Sequence, residues 1–297
     1  MNGIINVLKP PGMTSHDVIN FLRRLLMIKK IGHSGTLDPA AAGVLPTFVG
    51  RATKAIEFFI EDDKEYIAEI ALGITTDTGD YEGQIVNTCS KKIDRLQLED
   101  ILKEFVGEIK QIPPMFSSVR YKGKKLYELA RKGISVERKP RKVKIISLNL
   151  LDYDTNKAII KVKCSKGTYI RTLCEDIGNR LGVGACLSCL IRTRSGPFSI
   201  EKSFTLEEIK DNVSNDKLKN ALISVDSCLE DMPAVRLNCR ENESFFAKGK
   251  FLPGDYNYLN NLIGQYVKVY NFDRFVGIAA IEKNQDKITL RLRKSFF

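Results

Sequence analysis

Residues 32–46 read GHSGTLDPAAAGVLP. One carboxylate, Asp38, and one of the chain's two histidines, His33, stand there among small or apolar residues. Beside Pro39, the plainest role for Asp38 is to cap a helix or close a turn, because its short side chain accepts hydrogen bonds from nearby backbone. A second reading starts from solvation. The flanks from Gly35 to Gly43 bring no other charged side chain, so a carboxylate enclosed there needs a cation from elsewhere to stay ionised. Arg171, in the similarly small and turned run KGTYIRTL (166–173), is the natural candidate.

Outward from this stretch the patterning is mixed. Gly3–Leu8 reads as a strand stopped by Pro10-Pro11-Gly12, and Thr14 with Asp17 resembles a capping box. Val18, Phe21, Leu22, Leu25 and Leu26 then predict a helix over about 15–27. The Asp38 stretch itself reads as a loop, and 51–60 as a helix. Residues 64–72 alternate as a strand with Tyr66, Ala68, Ile70 and Leu72 on one face; 94–106 is helical, and a short helix over 124–132 ends at Gly133. Strands over 143–153 and 157–164 precede a helix from KGTYIRTL to about Gly182, a strand over 185–192 and a helix near Thr205. From Met232 a short helix and three strands (265–270, 274–282, 287–292) are expected. Helices and strands that do not strictly alternate favour an α+β fold.

A chain of 297 residues has room for two domains, and 43% apolar with 28% charged residues excludes disorder and fibrous repeats. No apolar run reaches the roughly 18 residues of a membrane span, and MNGIINVLKPPG lacks the order of a secretory signal, so a cytoplasmic protein without membrane partners is expected. Seven cysteines scattered from Cys89 to Cys239 read as reduced thiols. The net charge of +11 is concentrated: residues 120–144 hold 11 basic and 2 acidic residues, and residues 232–297 hold 11 and 6. The remainder is slightly acidic. Two separate basic surfaces fit a polyanion that spans both, which points to nucleic acid.

Several chemistries lack their signatures. His16 and His33 show no metal-ligand spacing, and the one CxxC, Cys186 to Cys189, falls in a predicted strand where its thiols face opposite sides. No phosphate-binding glycine motif is present, and His33-Ser34 has no nucleophile elbow.

The runs NVLKPPGMTS (6–15), GHSGTLDPAAAGVLP, KEYIAEIALGITTDTGDYEG (64–83), PPMFSSVRYKGKKLYELAR (113–131), KGTYIRTLCEDIG (166–178) and LIRTRSGPF (190–198) resemble, in order, the motifs of the TruB family, the bacterial tRNA pseudouridine-55 synthases. The resemblance implies an α+β pseudouridine-synthase domain over 1–231, with a central, mainly antiparallel sheet and a basic RNA-clamping insertion at about 115–144. A small β-rich PUA-type RNA-binding domain over 232–297 follows, where the match is weaker and rests on VKVYNFDRFVGIAAIEK (267–283). It further implies base flipping and isomerisation of uridine 55 in the T stem-loop of tRNA, without cofactor or metal; a monomer per tRNA is the simplest expectation. Asp38 is then the nucleophile, with attack at C6 or at C1′ both open. Arg171 pairs with it, Tyr66 stacks on the base and serves in proton removal at C5, His33 enters the RNA loop, and Tyr169 and Leu190 line the base pocket. One departure is the run of three alanines, where the family often has Ala-Thr at the second and third. Two rivals stand beside this reading: a non-catalytic tRNA-folding chaperone, which needs neither Asp38 nor Arg171, and a carboxylate-based nucleosidase, which releases uracil.

Overall fold

The structure, a computed structural model, describes residues 1–237, 250–251, 257–284 and 287–296. It opens with β1 (Gly3–Lys9), α1 (Ser15–Leu26), β2 (Ile31–His33) and β3 (Ala42–Val49). A 3₁₀ turn (Gly50–Ala55) runs into α2 (Ile56–Ile60), then β4 (Lys64–Leu72), a hairpin of β5 (Ile74–Thr76) and β6 (Ile85–Thr88), α3 (Arg95–Glu104) and β7 (Gly107–Gln111). The basic insertion holds a two-residue ladder of β8 (Arg120–Tyr121) with β9 (Lys124–Lys125), and α4 (Leu126–Ala130). There follow β10 (Arg141–Asp154), β11 (Lys157–Cys164), α5 (Ile170–Leu181), β12 (Ala185–Ser195), β13 (Phe198–Ser199) and α6 (Leu206–Ser214).

The central sheet runs β1-β3-β12-β4-β11-β10-β7, with β2 beside β3 and β13 beside β12. Every pairing is antiparallel except β12 with β3, which is parallel and joins only Ile191 to Ala42 and Arg192 to Gly43. Alternation on β4 turns Ala68, Ile70 and Leu72 into one core with Ile160 and Val162 of β11 and the apolar stripe of α5, Ile170, Leu173, Cys174, Ile177 and Leu181. At Gly178 that helix lies so close to β12 that a Cβ would come within 2.2 Å of the Ala185 nitrogen. A second core gathers Ile5 and Val7 of β1, Val18 and Leu22 of α1, and Leu206 and Ile209 of α6. Both α1 and α6 start in full capping boxes, on Thr14 with Asp17 and on Thr205 with Glu208.

The expected loop around Asp38 is shorter than its composition implied, because residues 42–49 form β3. Pro46 argues against an interior strand, yet the partners on that side of β3 are β12 at 42–43 and β2 at 47–49, and the gap between them demands no donor from residue 46. The helix expected over 51–60 divides into the 3₁₀ turn and α2. The strand over 64–72 falls where the pattern placed it, and β10 and β11 are joined by a turn at Thr155-Asn156.

Beyond residue 232, β14 (Ala234–Leu237), β15 (Lys250–Phe251), β16 (Tyr266–Asn271), β17 (Arg274–Asn284) and β18 (Lys287–Ser295) form a second sheet ordered β14-β16-β17-β18-β15. The three expected strands are there, joined by β14, parallel to β16, and by β15. This sheet has its own core of Val235, Val267, Val269, Ile281 and Leu290. It also docks on the large domain: Ile278 is buried with Ile4, Phe48, Phe59 and Phe198, and the Phe58 and Tyr266 rings meet edge to face at 5.1 Å. Six cysteines are free thiols, and Cys239 lies outside the described residues. No helix among the described residues is long and apolar enough to cross a membrane.

Candidate active site

Asp38 rides on a segment, residues 34–41, held from below by side chains that reach its backbone. Lys9, at the end of β1 and 0% exposed, donates from Nζ to the carbonyls of Pro10 (2.7 Å), Pro39 (3.2 Å) and Ala41 (2.6 Å). Ser15 Oγ donates to the Leu37 carbonyl at 3.1 Å and accepts from the Leu37 amide at 2.9 Å, while the Gly12 amide donates to Pro39 at 2.9 Å. Arg192 on β12 donates to Val44 from Nε at 2.7 Å, to Gly35 from Nη2 at 3.0 Å and to Thr36 from Nη1 at 3.4 Å. Gly43 makes the junction possible: its φ is +114°, and a Cβ would lie 2.2 Å from the Arg192 carbonyl oxygen. The N-terminal run NVLKPPGMTS and the strand run LIRTRSGPF therefore support one loop.

So held, the Asp38 side chain keeps 45% of its surface open and meets Arg171, 7% exposed, through Oδ2 and Nε at 3.1 Å. Arg171 lies in the first turn of α5, which places it by packing on β12. Its remaining nitrogens are also engaged: Nη1 donates to the Thr78 carbonyl and to Asp80 Oδ2, each at 3.3 Å, and Nη2 donates to the Phe116 carbonyl at 2.7 Å. One guanidinium thus joins the Asp38 loop, the β5–β6 hairpin and the root of the basic insertion. Desolvation raises the Asp38 pKa above the ordinary value, and Arg171 acts in the opposite direction, as Lys9 does more weakly. Asp80, a like charge, adds to the rise. Lys9 itself is pulled down to about 8 by burial, with Asp38 opposing.

Tyr66 and Tyr169 both feel the charge of Asp38, and Tyr169 that of Arg171 as well. Tyr66 lies across the strand from Arg192, packs on the large core, and has its hydroxyl pKa raised by burial while the Arg192 guanidinium lowers it. Tyr169 precedes α5, where Gln111 accepts from its amide at 3.0 Å and donates to its carbonyl at 3.3 Å; burial raises its hydroxyl pKa. Leu190 sits opposite Ala68, buried in the same core as Leu37. His33 stands apart, at the end of β2; burial first, then Arg192, depresses its pKa to about 4, so the ring is neutral, and its Nδ1 is buried without a partner. Asp38 and Arg171 are paired directly, both tyrosine hydroxyls feel the Asp38 charge, and Leu190 shares a core with Leu37. Among the described residues no cluster of His, Cys, Asp or Glu is placed to hold a metal ion.

Sequence reasoning passed over Lys9, Ser15, Asp80, Gln111 and Arg192. Lys9 carried a signal: in GIINVLK it has the parity of Ile5 and Val7, which face the core, so strand alternation alone turns it inward.

Residues 23–170 match the family model described as TruB family pseudouridylate synthase (N terminal domain), and residues 171–230 match that of the tRNA pseudouridylate synthase B C-terminal domain. The chain belongs to the TruB family. Curated TruB relatives named tRNA pseudouridine synthase B include one from Caldanaerobacter subterraneus subsp. tengcongensis, 47% identical over 95% of this chain and 96% of that protein. Another, from Alkaliphilus oremlandii, is 44% identical over 96% of this chain and 95% of that protein. Among solved structures, a chain from a Cbf5-Nop10-Gar1 complex superposes with a TM-score of 0.75 at 27% identity, covering 99% of this chain and 85% of its own. A chain from an H/ACA RNP bound to a substrate RNA containing 2'-deoxyuridine gives 0.74 at 26%, covering 99% and 85%. This TruB protein is thus a tRNA pseudouridine synthase, an isomerase that converts uridine in tRNA to pseudouridine.

Proposed function

We propose that its target is uridine 55 in the T stem-loop of tRNA and that Asp38 is the nucleophile. The observation that carries this reading is the Asp38–Arg171 pair at 3.1 Å on an otherwise uncharged loop, with two tyrosine hydroxyls that feel the Asp38 charge. The N1–C1′ bond of the uridine breaks, the uracil turns, and C5 bonds to C1′; the C5 proton leaves to water and N1 gains one, so nothing is consumed. Arg171 keeps Asp38 ionised and aimed. Tyr66 stacks on the uracil and serves the C5 proton removal, while Tyr169 and Leu190 bound its pocket.

A uridine inside a folded loop reaches Asp38 only when extruded, and the neutral His33 ring suits the vacancy it leaves. The basic insertion, about 115–144, grips the stem, and residues 232–297 act as a PUA-type RNA-binding domain. One monomer serves one tRNA, in the cytoplasm, with no cofactor.

The test uses a T stem-loop RNA carrying tritium at uracil C5, with release of tritium to water as the readout. Wild type releases it, and Asp38→Asn abolishes release while retaining RNA binding. Release that survives Asp38→Asn overturns the nucleophile. Free uracil in the products identifies a nucleosidase instead, and RNA refolding without release identifies a chaperone.

A further inference from the structure

Arg192 heads the fully buried side chains in volume and is 1% exposed, yet among the described residues no carboxylate forms an ion pair with it. A guanidinium cannot shed its charge to escape burial, so its retention there needs a reason beyond stability. Its donors divide between the two ends of the Asp38 loop: Gly35 and Thr36 on the near side, Val44 on the far side. It is also the direct cross-strand partner of Tyr66, and its charge opposes the rise that burial imposes on that residue's hydroxyl pKa. The surroundings are shaped to its planar head. A Cβ at Gly35 would sit 3.3 Å from Nη1, and the two-residue parallel junction of β12 with β3 falls on Arg192 itself.

We propose that Arg192 is a positioning residue for the isomerisation, fixing the Asp38 loop and the Tyr66 ring relative to each other so that carboxylate and ring meet the base from set directions. This rests on the reading of Asp38 as nucleophile and Tyr66 as the base-facing ring. Lysine cannot replace it, because one ammonium is a point donor and cannot span carbonyls on residues 35, 36 and 44 at once. The same buried charge holds His33 neutral, second to burial itself.

The test compares wild type with Arg192→Lys and Arg192→Gln by single-turnover tritium release, by Kd for the T stem-loop RNA, by Tm, and by the His33 ring-proton titration, which a chain with two histidines makes easy to follow. Both variants are expected to bind RNA with near wild-type Kd but to turn over roughly 10- to 100-fold more slowly, well below their Tm. Adding Tyr66→Phe to Arg192→Lys costs less than the two single effects combined, since both act on one element. In Arg192→Gln the His33 pKa rises. Should the glutamine variant not fold, Arg192→Lys and Gly35→Ala, which keeps the arginine but presses on its Nη1, carry the comparison. Wild-type turnover in Arg192→Lys, a rate deficit that vanishes on cooling, or one matched by weaker binding overturns the proposal. Asp38→Asn, run alongside, separates the two readings: if it retains turnover, the nucleophile assignment falls whatever Arg192 does.

Discussion

Arg171 is the residue on which the Asp38 loop, the β5–β6 hairpin and the root of the insertion converge, and its geometry explains why charge alone would not suffice. Nε faces Asp38 while the terminal nitrogens hold Asp80, Thr78 and Phe116, so the fork is engaged on every side. Arg171→Lys keeps the positive charge but reaches one of these partners at a time. We expect RNA affinity within a few-fold of wild type and turnover down by about 10²-fold or more, measured as Kd against single-turnover rate. An equal fall in both would contradict this. The pairing of Asp38 with Arg171 was legible in the sequence because a carboxylate on an uncharged loop asks for a distant cation. Asp80 was not: in TTDTGDYEG it has the same local chemistry as any turn aspartate, and only the fold brings it to 3.3 Å from Arg171.

At the scale of elements, β1 ends in a cation that acts as a bracket. Lys9 donates to three carbonyls, of which Pro39 also accepts from the Gly12 amide, so Lys9→Met takes the side-chain donor from those of Pro10 and Ala41 at about 1–3 kcal/mol for each left unpaired. Wild type should also gain stability from this group as pH rises between about 8 and 10.5, where the unfolded chain still holds a proton that folded Lys9 has released. Urea midpoints across that range should show no such slope in Lys9→Met; an unchanged slope would assign it to another group. Strand β4 and helix α5 could be read from their periods, since each buries one face on a single core. Strand β3 could not, because Pro46 and Gly43 disguise an interior strand whose ladder on one side is broken, a fact that depends on where β2 and β12 stop. The short hairpin of β5 and β6 has too few residues for a period to declare itself.

On the whole molecule, the two basic regions read from composition occupy different places. The insertion is largely exposed, with Lys122 set over the Tyr121 ring and Lys125 and Arg131 against Tyr127, while its root is tied to Arg171 through Phe116. The C-terminal sheet is docked on the large domain, where Lys294 pairs with Glu57 at 2.9 Å and Lys54 donates to the Ser295 carbonyl at 2.8 Å. Replacing Lys122, Lys124 and Lys125 by Gln should therefore weaken RNA binding without touching the chemistry of bound RNA. The plot of log K against log salt should flatten by about 0.9 for each duplex phosphate that the variant no longer neutralises. An unchanged salt slope would place the RNA elsewhere.

The short parallel junction between β3 and β12 carries a consequence for synthesis. Arg192 reaches carbonyls that precede it by 148–157 residues. At about 5–20 residues per second, a ribosome needs roughly 8–30 s to travel that far. Through that interval the nascent chain owns its aspartate but not the arginine beneath it, nor, until near the end, the one beside it. A ribosome-stalled chain ending before Ala185 should be cut by protease within residues 34–41, and one extended beyond Ser195 by enough residues to carry β12 out of the ribosome should resist. The Asp38 loop matures late, when the rest of the sheet that can shelter it has left the ribosome.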